Sequence, residues 1–220
     1  RAAIDAYRTP ALQQAVALAV ADGTVIAMNV MDEPHVAGQG DGVGGGIGNT
    51  WGPPGTMTKL RVDSMCAYVK GVFSTTPTVV SHQWQVFEPT RAYRQCDGPV
   101  SIYSARSGEL TAWRAGAQAM AARDGHLTMF GLNWINGGTQ DKDATWDCRT
   151  EGGVIGENRP NCAPTPTQVA SWLLALCPRS AGGCLIWTDD GTTAGRNAGA
   201  LQTVRDSLAR LPAVPLRRRP

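Results

Sequence analysis

The chain has 220 residues, of which 42% are apolar and 17% charged, with a formal net charge of +2. This is a globular composition, long enough for one sizeable core. The near-neutral balance argues against a nucleic-acid binder, which needs a strongly basic face, and no apolar run reaches the ~18 residues of a membrane span.

In chain order, helical and strand patterns alternate. Residues 1–8 and 10–21 read as helices that end at the turn Asp22-Gly23. Residues 24–31 (TVIAMNVM) are almost continuously apolar, the pattern of a strand buried on both faces of a parallel sheet. That run leads straight into Asp32-Glu33-Pro34-His35. The segment GDGVGGGIG from Gly40 to Gly48 lacks the GK[ST] ending of a phosphate loop and reads as a loop insertion. Residues 58–73 are amphipathic, with Leu60, Met65, Val69 and Val72 near one face and Thr58 as N-cap. Residues 76–82 and 99–104 read as strands, 109–123 as a helix ended by Asp124-Gly125, and 126–134 as another strand. A helix over 167–176, a strand over 184–188, a helix over 198–211 and a Pro/Arg-rich tail complete the chain.

Strands alternating with helices specify parallel β/α units. The long irregular segments 34–57, 84–97, 135–166 and 189–197 all follow strands, whereas the loops before strands are short. In a β/α barrel the loops after strands build the functional face. The expected class is therefore α/β, a partial TIM-type barrel in a single domain over 1–212, with 213–220 as tail. The opening RAAIDAY has neither an initiator Met nor a signal-peptide pattern, which implies further sequence upstream.

The six cysteines, Cys66, Cys96, Cys148, Cys162, Cys177 and Cys184, form no CxxC pair of the kind that holds zinc. Their even number in loop-rich surroundings fits disulfides and an oxidising, extracytoplasmic compartment, periplasmic or secreted. Proximity suggests Cys148–Cys162, Cys177–Cys184 and Cys66–Cys96, although spacing alone leaves the connectivity open.

The VMDEP strand end resembles the fourth-strand end of clan A glycoside hydrolase β/α barrels, and Trp187 in LIWTDD resembles the aromatic residue on their last strand. The resemblance implies that the five strands are the fourth to eighth of a (β/α)8 barrel. Five strands cannot close such a barrel, so the missing units are expected upstream. It also implies Glu33 as general acid/base. A retaining hydrolase needs a second carboxylate about 5–5.5 Å away, and an inverting one needs it somewhat farther. The clan places that acid at the end of the seventh strand. Here LTMFGLNWINGG carries Asn133 there and no acid, and an amide can be neither nucleophile nor general base.

Glu88, Asp189 and Asp190, all after strands, are the alternative partner acids. Asp32 and Glu33 should point to opposite sides of the strand, with Pro34 restricting Glu33 to extended backbone. Asp32, His35, His82, Trp84, Asn133, Trp134 and Trp187 are candidates to line a substrate cleft, since tryptophans stack on sugar rings as readily as they fill cores. The histidines are too dispersed for a metal site, no nucleophile elbow appears, and neither metal nor cofactor is expected.

Three functions fit these features: a secreted glycosidase, a carbohydrate-binding barrel without chemistry, and a non-catalytic accessory or scaffold subunit of a larger extracytoplasmic or membrane-associated assembly. Arg217, Arg218 and Arg219 form either a solvated end or a contact to anionic lipid or an acidic partner.

Overall fold

The computed structural model describes residues 2–34, 57–103, 107–133, 166–177 and 183–187, together with Gln202, Arg205 and Asp206. Its elements are α1 (Ala2–Asp5), α2 (Pro10–Ala21), β1 (Met28–Asp32), α3 (Lys59–Val72), β2 (Thr78–His82), β3 (Gly98–Tyr103), α4 (Leu110–Asp124), β4 (Met129–Asn133), α5 (Pro166–Leu176) and β5 (Gly183–Trp187). The fold is α/β, with an all-parallel, curled half-barrel sheet in the order β1-β2-β3-β4-β5. Gln202, Arg205 and Asp206 are helical, and the rest of the helix expected over 198–211 lies outside the described residues.

Local hydrogen bonding trims two of the expected strands. Thr9 caps α2 by accepting the Leu12 N–H, and Pro10 fills the first turn, where a missing N–H costs nothing. At the other end, Gly23 turns the chain at φ 85° and the Val25 N–H returns to the Ala19 carbonyl at 2.8 Å. That closure takes up the start of the apolar run, so β1 begins at Met28 rather than at residue 24. Similarly, the His126 N–H closes α4 onto the Ala121 carbonyl at 2.9 Å, and the Leu127 N–H reaches the Asp97 carbonyl at 2.9 Å. The strand expected from residue 126 therefore starts at Met129.

Compact packing divides the chain into two units, Arg1–Ile102 with Arg114–Met129, and Tyr103–Trp113 with Phe130–Pro220. In the first unit, β2 is buried along its whole length, as a strand covered on both faces must be. Met31, Val62, Cys66, Val80, Phe87, Tyr93 and Cys96 form its main core cluster. The face of α3 differs from expectation: Leu60 is 62% exposed, while Lys59 and Asp63 are buried beside Val62, Cys66 and Val69. These charges are inward because residues 83–97 cross from β2 to β3 as an irregular strap, without a helix, and α3 supplies the strap's hydrogen-bond partners.

The strap is fastened along the length of α3. Glu88 accepts the Lys59 N–H at 2.5 Å, and Lys59 Nζ donates to the Arg91 carbonyl at 2.6 Å. One carboxylate, Asp63, accepts the N–H groups of Arg94, Gln95 and Cys96 at 2.9–3.1 Å. The Cys66–Cys96 disulfide follows, and then the Lys70–Asp97 ion pair at 2.9 Å. On the strap's other side, Arg123 donates to the Pro89 carbonyl and His126 Nε2 to that of Tyr93. Irregular backbone can be buried only when its polar groups are paired in this way.

In the second unit, Tyr103 packs edge-on against Trp113 and Trp172, and Trp113 lies beside Phe130. Leu173 and Leu176 of α5 are fully buried. The Cys177–Cys184 disulfide ties the end of α5 to β5. Two of the three expected disulfides are thus present, and Cys148 and Cys162 lie outside the described residues.

Candidate functional site

The candidate acids are positioned by an irregularity in β1. Met28 and Asn29 pair with Thr78 and Val79, then Met31 and Asp32 pair with Val80 and Ser81, so Val30 is an extra residue in a bulge. Bulges re-aim the side chains that follow them and concentrate near binding sites. Asn29 repairs the ladder: its Oδ1 accepts the Ser81 N–H at 3.2 Å, and its Nδ2 donates to Ser81 Oγ at 2.8 Å. After the bulge Met31 faces the α3 layer, where it joins the core cluster with Val80. Asp32 lies on the opposite face of the sheet, in the row of Ser81 and Val100.

Asp32 is half-buried, and among the described residues its Oδ1 has no hydrogen-bond partner. Burial, with the neighbouring Glu33 charge, pushes its carboxyl up to about 6. Glu33 is not extended as expected. It has φ 43°, in the left-handed region that non-glycine residues seldom occupy. Its N–H makes the last ladder bond, to the Ser81 carbonyl at 2.7 Å, and Pro34 immediately after it is fully buried. Held on both sides, the chain turns at Glu33 itself.

The remaining candidates are distributed as follows. Trp84, Asn133 and Trp187 each follow or end a strand at its C-terminal end, as expected. The Trp84 ring packs on Gly116 of α4 so closely that a Cβ there would come within 2.5 Å of it. His82 is on the Val80 face and fully buried. Its Nδ1 donates to the Gln83 carbonyl at 3.0 Å, so its Nε2 accepts from the Tyr93 hydroxyl at 3.1 Å. Phe87 meets the same ring edge-on.

Glu88, at φ 41°, receives the Lys59 N–H and pairs with Arg91 at 3.2 Å, both within the strap. His35, Trp134, Asp189 and Asp190 lie outside the described residues. The described residues contain no group of His, Cys, Asp or Glu side chains able to hold a metal.

Sequence reasoning missed Asn29, Ser81, Lys59, Asp63 and Tyr93. Asn29 is a polar residue inside an apolar strand run, and Lys59 and Asp63 recur at helical spacing with Val62 and Cys66. Both are legible signals that a polar group is being used. Comparison with known proteins adds no relative: no family model, curated protein or solved structure matches the chain.

Proposed function

We propose that the chain is part of a glycoside hydrolase-like β/α barrel, with Asp32-Glu33 as the acid pair at its substrate face. The observation that supports this best is the left-handed Glu33 directly after Asp32, at the C-terminal end of a parallel strand. A non-glycine residue at φ 43° costs on the order of 1–2 kcal/mol, and such strain concentrates where a side chain must be aimed for function. Asp32, whose carboxyl burial pushes up to about 6, suits a proton donor beside Glu33. The two disulfides favour an extracytoplasmic setting.

The test is turnover of a panel of glycosides by the wild-type chain, Glu33→Gln and Asp32→Asn. Each substitution keeps the side-chain shape and should lower the rate roughly 10²–10⁴-fold. If no glycoside is turned over in a manner that Glu33→Gln abolishes, the hydrolase reading fails.

A second reading is favoured by Asn133 at the end of β4, where the resemblance asks for an acid, and by the engagement of Glu88 in the strap. In that reading the chain is a carbohydrate-binding or scaffold barrel without chemistry. Glycan binding with no turnover, or co-purification with a larger assembly, would distinguish it.

A further inference from the structure

Between the first turn of α3 and the strap lies an open groove of about 500 Å³, lined by Leu60, Asp63, Thr90, Arg91, Ala92 and Arg94. We infer that this groove is a binding site for an acidic oligosaccharide, with Arg91 and Arg94 recognising a sugar carboxylate. The class of ligand rests on the carbohydrate reading above, whereas the recognition of an anion rests on the groove alone.

The two arginines stand on immobilised backbone. The Arg91 carbonyl is held by buried Lys59, and the Arg94 N–H by buried Asp63. A strap fixed at both positions holds the backbone from which two guanidinium groups project, so that only their side chains remain to be ordered on binding. Asp63 spends its carboxylate on three strap N–H groups, so it offers little competition for an incoming anion. Arg91 is half-exposed and shares its charge with Glu88, but the Arg94 guanidinium has no ion-pair partner among the described residues. Guanidinium groups match carboxylates in a bidentate manner.

Size and polarity narrow the ligand. The groove falls within the ~300–1,000 Å³ of ligand pockets, far larger than a free inorganic anion needs. Its wall includes the exposed Leu60 side chain and Ala92, which suit the C–H face of a sugar ring. Two arginines in a chain of net charge +2 do not make the basic stripe that a nucleic acid requires.

The experiment is calorimetric titration of the protein with a hexuronate oligosaccharide and with its carboxyl-reduced, neutral counterpart. Binding of the acidic form at least tenfold tighter than the neutral form is expected. That preference should be lost in Arg91→Gln/Arg94→Gln and weakened in Arg94→Gln, whose folding is insulated because its side chain holds no described partner. The readout is binding and not turnover, so this site can fail while the hydrolase reading stands, and the reverse. Equal affinity for the acidic and neutral forms, no binding of either, preference for an acidic peptide, or unchanged binding in the double variant would each overturn the assignment.

Discussion

Asp63→Ala should detach the strap from α3. The Asp63 side chain is 6% exposed and is the shared acceptor for the N–H groups of Arg94, Gln95 and Cys96. Hydrogen bonds to a charged group contribute about 1.5–3 kcal/mol each. The donors on Arg94 and Gln95 belong to exposed residues and can turn to water once the carboxylate is gone, recovering much of their share. Cys96 is 4% exposed and tethered to Cys66, so its N–H would stay buried and unpaired, at about 1–3 kcal/mol. Together these give about 3–5 kcal/mol, a large fraction of the ~5–15 kcal/mol that stabilises a typical domain. Urea unfolding with the disulfides kept oxidised measures this against a common unfolded reference. Asp63→Asn, which retains one acceptor oxygen, should fall between wild type and Asp63→Ala. A midpoint for Asp63→Ala within about 1 kcal/mol of wild type at unchanged m-value would refute the idea that this carboxylate fastens the strap.

Two further expectations concern stability. Asp32 is held above its ordinary 3.8, up to about 6, so the folded state binds the proton more tightly than the unfolded chain; stability should therefore fall as pH rises through that window and stay lower above it. Asp32→Asn should flatten this part of the unfolding-versus-pH curve, and an unchanged slope would contradict the assigned burial. Two helical glycines should respond to alanine with opposite signs. Gly71 has open space around it and should gain about 0.5–1 kcal/mol in thermal or urea unfolding. Gly116→Ala drives a methyl into the Trp84 ring and should lose about 1–3 kcal/mol with a change in tryptophan fluorescence; a net gain there would mean that Trp84 moves aside freely.

Much of this architecture was legible in the sequence because it depends on local order. The continuous apolar runs ending at His82 and Asn133 are what strands buried on both faces require, and their alternation with helical periodicity makes the sheet parallel; β1 departs from the same expectation, with Asn29 exposed and only Met31 fully buried. Thr58 caps α3 as expected. Cys177 and Cys184 are near enough in sequence for their pairing to be expected. The tertiary structure decided what depends on contacts between distant segments. The β1 bulge exists because the Asn29 side chain satisfies Ser81 across the ladder, and it determines which face Asp32 occupies. Lys59 and Asp63 turn inward against their polarity because an irregular crossover needs partners for its backbone groups. For the same reason Glu88, a candidate catalytic acid by sequence position, is engaged at the N-terminus of α3. Glu33 departs from the extended backbone that Pro34 favours, at φ 43°, where its N–H reaches the Ser81 carbonyl across the ladder and Pro34 is buried. None of these partners lies close in sequence to the residue it constrains, apart from Pro34, and periodicity carries no information about them.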